Sequence, residues 1–264
     1  MRRTILALCL CLLALAAAGA SPSALTADQI ARNVQDRDTG KDSKAELRMK
    51  LFDRRGRARE RALTLMTLRR PAGDRSLIRF TYPNDIRGTG FLVWEHPQRD
   101  DERFLYLPSL GRVRRISGSE AQESFVGSDF SYEDIGGREF DDYTYVLLDE
   151  NAAWTGPDGS PRPAYRLESR RKDKSVEFPR VVSLVLKDSF VVVQAEVYNR
   201  RNEKQKVYTV KRLQQSQGIW TVMDSVMTND LDRTRTELTI DKVAYNTGLT
   251  EDAFSRRELE GAAK

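Results

Sequence analysis

One short segment, Glu102–Pro108, predicts a strand that is apolar on both faces. Phe104 and Tyr106 alternate with Leu105 and Leu107, so large apolar side chains project from each side of an extended backbone. A half-exposed antiparallel strand is covered on one face, whereas a strand with this composition must be covered on both. The chain therefore needs a lid or a ligand over this strand.

The residues that follow supply a candidate lid. Ser119–Val126 offers a hydroxyl cap and a short helical pattern, which Gly127 would end. Ser128–Ile135 then mixes aromatic and acidic residues. We interpret the segment as a helix-loop flap whose aromatic side, with Phe130 and Tyr132, folds onto the sheet.

Most of the remaining sequence has the pattern of antiparallel strands joined by short turns. The clearest example is Lys44–Phe52, in which apolar and charged residues alternate, so that one face is exposed to water. Thr26 and Gln29 form a capping-box pattern at the start of a short amphipathic helix. We expect one sheet of about ten or eleven strands wrapped around this helix. The other long strands are expected at Ala58–Leu68, Asp74–Tyr82, Tyr143–Leu148, Ala164–Ser169, Val181–Lys187, Phe190–Asn199, Lys204–Leu213, Trp220–Asn229 and Asp232–Val243.

The first twenty residues, Met1–Ala20, have the pattern of a secretory signal peptide. Arg2 and Arg3 precede an apolar run, and small residues before Ser21 form a cleavage site. No later apolar run reaches the length of a membrane-spanning helix. We therefore expect a soluble periplasmic protein; the alternative is a retained leader that acts as a membrane anchor.

The composition after the leader limits the classes of function. Cys9 and Cys11 lie inside the leader, so the mature chain is expected to have no thiol, disulfide or lipid anchor. Without Arg2 and Arg3, 42 basic residues stand against 39 acidic ones, a net charge of +3. This balance does not favour nucleic acid as a partner. Residues 21–264 are expected to form a single domain.

The sequence offers little support for an enzyme. Its single histidine, His96, cannot form a two-histidine metal site or an HExxH motif. A Ser-His-Asp arrangement with His96 stays open, although an exposed loop histidine is the simpler interpretation. A carboxylate pair such as Glu133-Asp134 could serve glycoside chemistry, but such pairs are common on solvated loops. Asp129, Glu133 and Asp134 lack the regular ligand spacing of a calcium loop. We expect no catalytic residue, no metal and no cofactor.

Three runs carry a family resemblance: FTYPNDIRGTGFLVWE, FLYLPSLGRVRRISG and GSDFSYEDI. They resemble the bacterial outer membrane lipoprotein-sorting proteins, a branch of the LolA-like superfamily. The resemblance covers nearly the whole mature chain and is strongest from Phe80 to Asp141. It implies a mainly β (α+β) fold, an unclosed antiparallel β half-barrel with short helices covering its concave face. It also implies that acyl chains bind between the helices and the sheet.

The resemblance makes the apolar strand faces candidate binding surface, although composition alone would favour a dry core. Basic residues on the strand after Gly111 are expected either to meet anionic headgroups or an acidic partner, or to form a solvated edge. These residues are Arg112, Arg114 and Arg115. The expected acyl-cavity residues are Leu47, Met49, Leu51, Ile78, Phe80, Tyr82, Phe104, Tyr106, Phe130 and Tyr132.

The function expected from these features is a non-enzymatic carrier of lipid or lipoprotein acyl chains, held under lids formed by residues 26–38 and 119–135. The carrier would be a monomer with transient membrane contact. It would pass its ligand toward the outer membrane, or to or from an inner-membrane lipid exporter of the RND/MMPL type. The alternative is a sensor or accessory protein of similar fold that regulates an inner-membrane partner. The residues do not identify the ligand or the direction of transfer.

The leader gives the first prediction. When the full-length gene is expressed in a Gram-negative host, N-terminal sequencing of the exported protein should start at Ser21, because Ala18 and Ala20 provide the small residues that signal peptidase requires. The control variant Ala20→Lys should keep the leader. An acylated N-terminus, or protein that stays with salt-washed membranes, would contradict this expectation.

Overall fold

The computed structural model describes residues 24–261; the expected leader and its cleavage site lie outside this range. These residues form one 13-stranded antiparallel sheet with a few short helices. The helices are α1 (Ala27–Asp36), α2 (Tyr132–Gly136) and α3 (Arg256–Gly261). The strands are β1 (Asp42–Phe52), β2 (Ala58–Leu68), β3 (Arg75–Tyr82), β4 (Gly90–Trp94), β5 (Glu102–Leu107), β6 (Arg112–Ile116), β7 (Tyr143–Thr155), β8 (Pro161–Arg171), β9 (Arg180–Leu186), β10 (Val192–Tyr198), β11 (Lys204–Ser216), β12 (Ile219–Asn229) and β13 (Thr234–Tyr245).

Two meanders build the sheet, and the first strand joins them by pairing with the last. The strand order is β6-β5-β4-β3-β2-β1-β13-β12-β11-β10-β9-β8-β7, so β6 and β7 lie at opposite edges. The sheet is therefore unclosed, and the expected fold class is confirmed. Residues 117–142 connect the two edge strands and must cross the width of the sheet. We call them the crossing segment, and the sheet face that they cover the inner face.

The sheet has more strands than the ten or eleven expected. The difference arises because short segments pair in the same sheet as the long ones. Thus β4 and β6 have only five residues each, yet both pair in register with β5. The expected continuous antiparallel arrangement is confirmed, and the strand count was too low.

The crossing segment is less helical than predicted. The helix expected over Ser119–Val126 is wrong: this stretch contains two short 3₁₀ turns, Gly118–Glu120 and Phe125–Gly127. Val126 has φ of +49° and Gly127 φ of +77°, which interrupts any helix, and the Phe125 amide donates to the Phe130 carbonyl at 2.8 Å to close a tight loop. The helical turn comes later, at α2, where the Ser131 hydroxyl accepts from the Asp134 amide.

Aromatic residues of the crossing segment fill the inner face of β1–β5. Phe125 is fully buried; its ring centroid lies 5.8 Å from that of Phe80, 5.5 Å from Phe91 and 5.6 Å from Tyr132. Around them pack Leu47, Met49, Leu51, Ile78, Val93 and Leu105. The prediction that the aromatic side of this segment folds onto the sheet is confirmed.

A second layer covers the outer face of β3–β5. Phe104 and Tyr106 pack there with Leu92 and with Phe254 and Leu259 from the C-terminal segment, residues 251–261. The indole Nε1 of Trp94 donates to the Phe254 carbonyl at 2.8 Å, which fixes this segment on the sheet. Since Leu105 faces the crossing segment on the other side, β5 is covered on both faces, as its sequence predicts.

The packing of Phe125 gives the second prediction. Phe125→Ala should lower the free energy of unfolding by about 3–5 kcal/mol, because it removes a fully buried ring and leaves a cavity in the core. Urea denaturation measures this change. The matched control is Tyr82→Ala, whose side chain is 56% exposed and whose loss should cost about 0.5 kcal/mol or less. Equal effects of the two variants would show that the crossing segment is not part of the core.

Candidate functional site

The inner face carries a cavity at its other half, beside β8–β13. Its volume is about 580 Å³, and it lies between α1, the crossing segment and these strands. The wall on the helical side includes Ala31, Val34 and Arg37. Sheet residues on the wall include Leu167, Ser169, Ser183, Val185, Ala195, Val197, Tyr208, Ser225, Met227 and Leu238, and the crossing segment adds Phe130 and Ile135.

Small side chains explain why this half of the sheet leaves space. A single row of paired residues crosses the inner face from β8 to β1: Leu167, Ser183, Ala195, Tyr208, Met227, Thr236 and Leu51. Ser183 and Ala195 are neighbours in this row, and their short side chains do not reach far from the sheet. The β1–β5 half instead presents Leu, Met and Phe side chains, which meet Phe125 and Tyr132.

Helix α1 forms one wall of the cavity. Thr26 and Gln29 make the predicted capping box, with the Thr26 hydroxyl accepting from the Gln29 amide at 3.2 Å. Ile30 and Ala31 are buried against Tyr165, Leu167 and Val185 of β8 and β9. The helix therefore covers the inner face at the β7–β9 edge, as an amphipathic helix wrapped by the sheet should.

Buried hydrogen bonds tie the crossing segment to the opposite half of the sheet. Gln122 accepts from the Phe178 amide at 2.9 Å and donates to its carbonyl at 3.1 Å. The Asp129 carboxylate accepts from the hydroxyls of Thr234 at 2.5 Å and Thr236 at 2.7 Å. These contacts fix two points of the segment, one against Phe178, two residues before β9, and one against β13.

A cluster of charged groups fixes the end of the crossing segment near the cavity. The Glu133 carboxylate accepts from the Tyr143 hydroxyl at 2.6 Å and from Arg171 at 2.5 Å. Burial raises the pKa of Tyr143, so its hydroxyl stays a donor. Arg138 pairs with Asp134 at 2.7 Å. Because these groups are buried and mutually paired, the segment is held in place as a fixed wall.

Acidic residues stand at one end of the cavity. Glu95 and Asp74 both line it. Burial first, and then the nearby charges of Asp74 and Asp101, raise the pKa of Glu95 to about 7, although Arg103 and Arg75 oppose this shift. Glu95 therefore exchanges its proton near neutral pH.

The predicted cavity residues are distributed over three places, and one of them lines the cavity. Phe130 does so, and its ring lies 6.4 Å from that of Tyr208. Six others share the inner face with the cavity but lie in the dry core of the other half, which the crossing segment fills. They are Leu47, Met49, Leu51, Ile78, Phe80 and Tyr132.

Three of the predicted cavity residues lie off the inner face, and for them the expectation is wrong. Phe104 and Tyr106 are on the outer face, under the C-terminal segment. The physical reason is the alternation of β5: Leu105 pairs with Phe91 on the inner face, so its neighbours must point the other way. Tyr82 ends β3 and is 56% exposed.

The three predicted headgroup arginines lie on the edge strand β6, at the far edge from β7–β9. Arg112 and Arg115 are exposed, and Arg114 pairs with Glu120 at 2.7 Å. Alternation places Arg114 and Arg115 on opposite faces, so they do not form one patch. Their contact with a headgroup or partner stays a prediction.

Most residues of the cavity wall were not predicted from the sequence. The signal that could have found it is the series of small residues at inward positions of β8–β12, namely Ser169, Ser183, Ala195 and Ser225. Small inward residues in consecutive strands leave unfilled volume, whereas large ones predict a packed core.

The histidine and the acidic side chains of residues 24–261 are the candidates for metal or catalytic chemistry. No group of three or more His, Cys, Asp or Glu side chains there is arranged to hold a metal ion. His96 contacts Glu102 at 3.1 Å and Arg99 at 2.9 Å. No helix in this part of the chain is both long and apolar enough to cross a membrane.

Glu95 gives the third prediction, a pH-dependent stability. Its pKa is above the ordinary value of 4.5, so the folded state binds more protons than the unfolded state between pH 4.5 and about 7. Stability must therefore fall as the pH rises through this window. Glu95→Gln removes the cost of ionisation and should gain about 1–3 kcal/mol relative to the natural protein at pH 8, with little gain at pH 4.5.

Urea denaturation at the two pH values checks this expectation. The control is Glu150→Gln, which changes an exposed carboxylate on β7. A gain for Glu95→Gln that is the same at pH 4.5 and pH 8 would contradict the assignment.

Comparisons with known proteins agree with this architecture. A family model described as "Uncharacterized protein" matches residues 72–261. An outer membrane lipoprotein-sorting protein domain from Vibrio parahaemolyticus is 30% identical, with a TM-score of 0.79 over 89% of this chain and 98% of that one. A DUF1329 family protein from Desulfovibrio piger is also 30% identical, with a TM-score of 0.78 over 88% of this chain and 97% of that one.

A LolA superfamily protein from Nitrosomonas europaea is 18% identical and has a TM-score of 0.66 over 88% of this chain and 98% of that one, which supports the fold alone. No curated protein sequence matches the chain. The similarity to the Vibrio and Desulfovibrio structures extends over nearly all described residues. The chain therefore belongs to the outer membrane lipoprotein-sorting (DUF1329) protein family and has a LolA-like fold.

Proposed function

We propose that this protein is a non-enzymatic periplasmic carrier that holds an acyl chain in the cavity between α1, the crossing segment and β8–β13. One observation carries the proposal. Large side chains fill one half of the inner face, whereas small side chains at inward positions of neighbouring strands leave the other half open. A volume of about 580 Å³ lies within the range of small-molecule pockets.

The chemistry of the wall favours an apolar ligand. Val34, Val185, Val197 and Met227 contribute apolar surface, and Ser183 and Ser225 are small. Burial of an acyl chain against such a wall is worth about 0.8 kcal/mol per methylene removed from water. A long chain can therefore be held without covalent chemistry.

Exchange of the ligand follows from this driving force. Since binding depends on area removed from water, release requires another apolar environment, such as a bilayer or the cavity of a partner. We propose that the carrier passes its ligand toward the outer membrane, or to or from an inner-membrane exporter. The similarity to proteins described as lipoprotein-sorting supports a lipid or lipoprotein as the cargo.

The fourth prediction concerns a variant that reduces the volume of the cavity. Ala195→Phe places a ring in the middle of the wall and should weaken binding of a fluorescent fatty-acid probe about tenfold or more, because it occupies the volume that the chain needs. Fluorescence titration of delipidated protein measures the affinity. Thermal unfolding should show a folded variant.

The matched control is Ala58→Phe, at the exposed start of β2, which should bind the probe as the natural protein does. Equal affinity for Ala195→Phe and Ala58→Phe would place the binding site elsewhere. Natural protein that binds no probe, and that carries no lipid in native mass spectrometry after purification from its own host, would refute the carrier proposal.

A further inference from the structure

We propose that the guanidinium of Arg37 receives the acidic headgroup, a carboxylate or a phosphate, of a lipid whose chain lies in the cavity. This inference rests on the proposed function and adds the chemical class of the ligand. It predicts that the protein prefers anionic lipids to uncharged lipids of the same chain length.

The position of Arg37 suits this role. It caps the C-terminal end of α1 and lines the cavity together with Val34 and Thr39. Tyr208, another wall residue, lies within electrostatic reach of the guanidinium. The guanidinium therefore places one charged group on a wall that also has apolar side chains, an arrangement that orients a ligand with one polar end.

Arg37 also has few partners among the described residues. Its guanidinium makes one hydrogen bond, to the Trp220 carbonyl at 3.4 Å, and no ion pair to a carboxylate is found for it within residues 24–261. The side chain of Arg37 is partly buried, and this burial lowers its pKa. A partly buried guanidinium with a single long hydrogen bond is stabilised when it pairs with an anion.

A second arginine, Arg69, adds positive charge next to Arg37. Arg69 donates to the Arg37 carbonyl at 2.7 Å, and no carboxylate pairs with its side chain in the described part of the chain. Asp38 and Gly40, the residues that alternate with Arg37 and Thr39, line a neighbouring cleft of about 870 Å³ with Lys41 and Arg69. Lys41, Arg69 and Arg70 give this cleft more basic than acidic residues.

Of the other charged groups of the cavity, the carboxylate of Glu95 cannot receive an anion, and the rest have partners. Arg138 is engaged by Asp134, and Glu133 by Arg171. Asp74 accepts from the Arg70 amide at 2.8 Å. Arg37 is thus the cation of the cavity wall that lacks a carboxylate partner among the described residues.

The test compares two ligands that share the same chain length and differ in their polar end, an anionic carboxylate or an uncharged hydroxyl. Delipidated mature protein is loaded with the uncharged probe N-phenyl-1-naphthylamine, which dodecanoate or dodecanol then displaces. The natural protein should require about tenfold to a hundredfold less dodecanoate than dodecanol, the range of a hydrogen bond to a charged group. Arg37→Gln should lose this preference and keep its response to dodecanol, whereas Arg37→Lys should retain part of the preference.

Controls separate the possible outcomes. Arg55→Gln, in the exposed turn between β1 and β2, should behave as the natural protein does. Equal displacement by both ligands in the natural protein, or an unchanged preference in Arg37→Gln, overturns the inference and leaves the carrier proposal intact. No probe binding and no displacement overturns both. Inorganic phosphate that raises the melting temperature through Arg37, with no preference between the two ligands, would assign the site to a free anion and overturn the lipid assignment.

Discussion

The pairing of β1 with β13 is the constraint on which the rest of the structure depends. It joins two meanders into one sheet and leaves β6 and β7 at opposite edges. The chain must then return across the sheet between these edges. A connection that crosses a sheet covers one of its faces, so a single pairing creates both the broad surface and the segment that closes over it.

The two halves of the inner face show how side-chain size divides one surface between stability and binding. In one half, Phe125 enters a layer of large side chains and forms a core of interlocked rings. In the other half, Ser183 and Ala195 stand opposite each other, and the segment above is held by polar bonds such as those of Asp129. Side-chain packing thus stabilises one half of the inner face. In the other half, hydrogen bonds hold the crossing segment over the cavity.

The sequence predicts the fold of this chain better than its site. Alternation gives nearly every long strand, and the double covering of β5 follows directly from its composition. The site was harder because alternation shows which residues share a face, but not which face lies inside. Phe104 and Phe80 have the same pattern, yet they lie on opposite sides of the sheet. The cavity itself arises from small residues on neighbouring strands, and only the pairing register shows that they share one row on the inner face.

The pairing of β1 with β13 also limits how early the sheet can be completed while the chain is being synthesised. Arg48 on β1 meets its partner Asp241 on β13 across 193 residues of chain. Contacts of such long sequence separation form slowly, because the loop-closure entropy is lost before the contacts contribute. The first strand therefore cannot gain its second neighbour until almost the whole polypeptide has been synthesised. The sheet of a nascent chain therefore stays divided into two meanders until β13 can pair with β1.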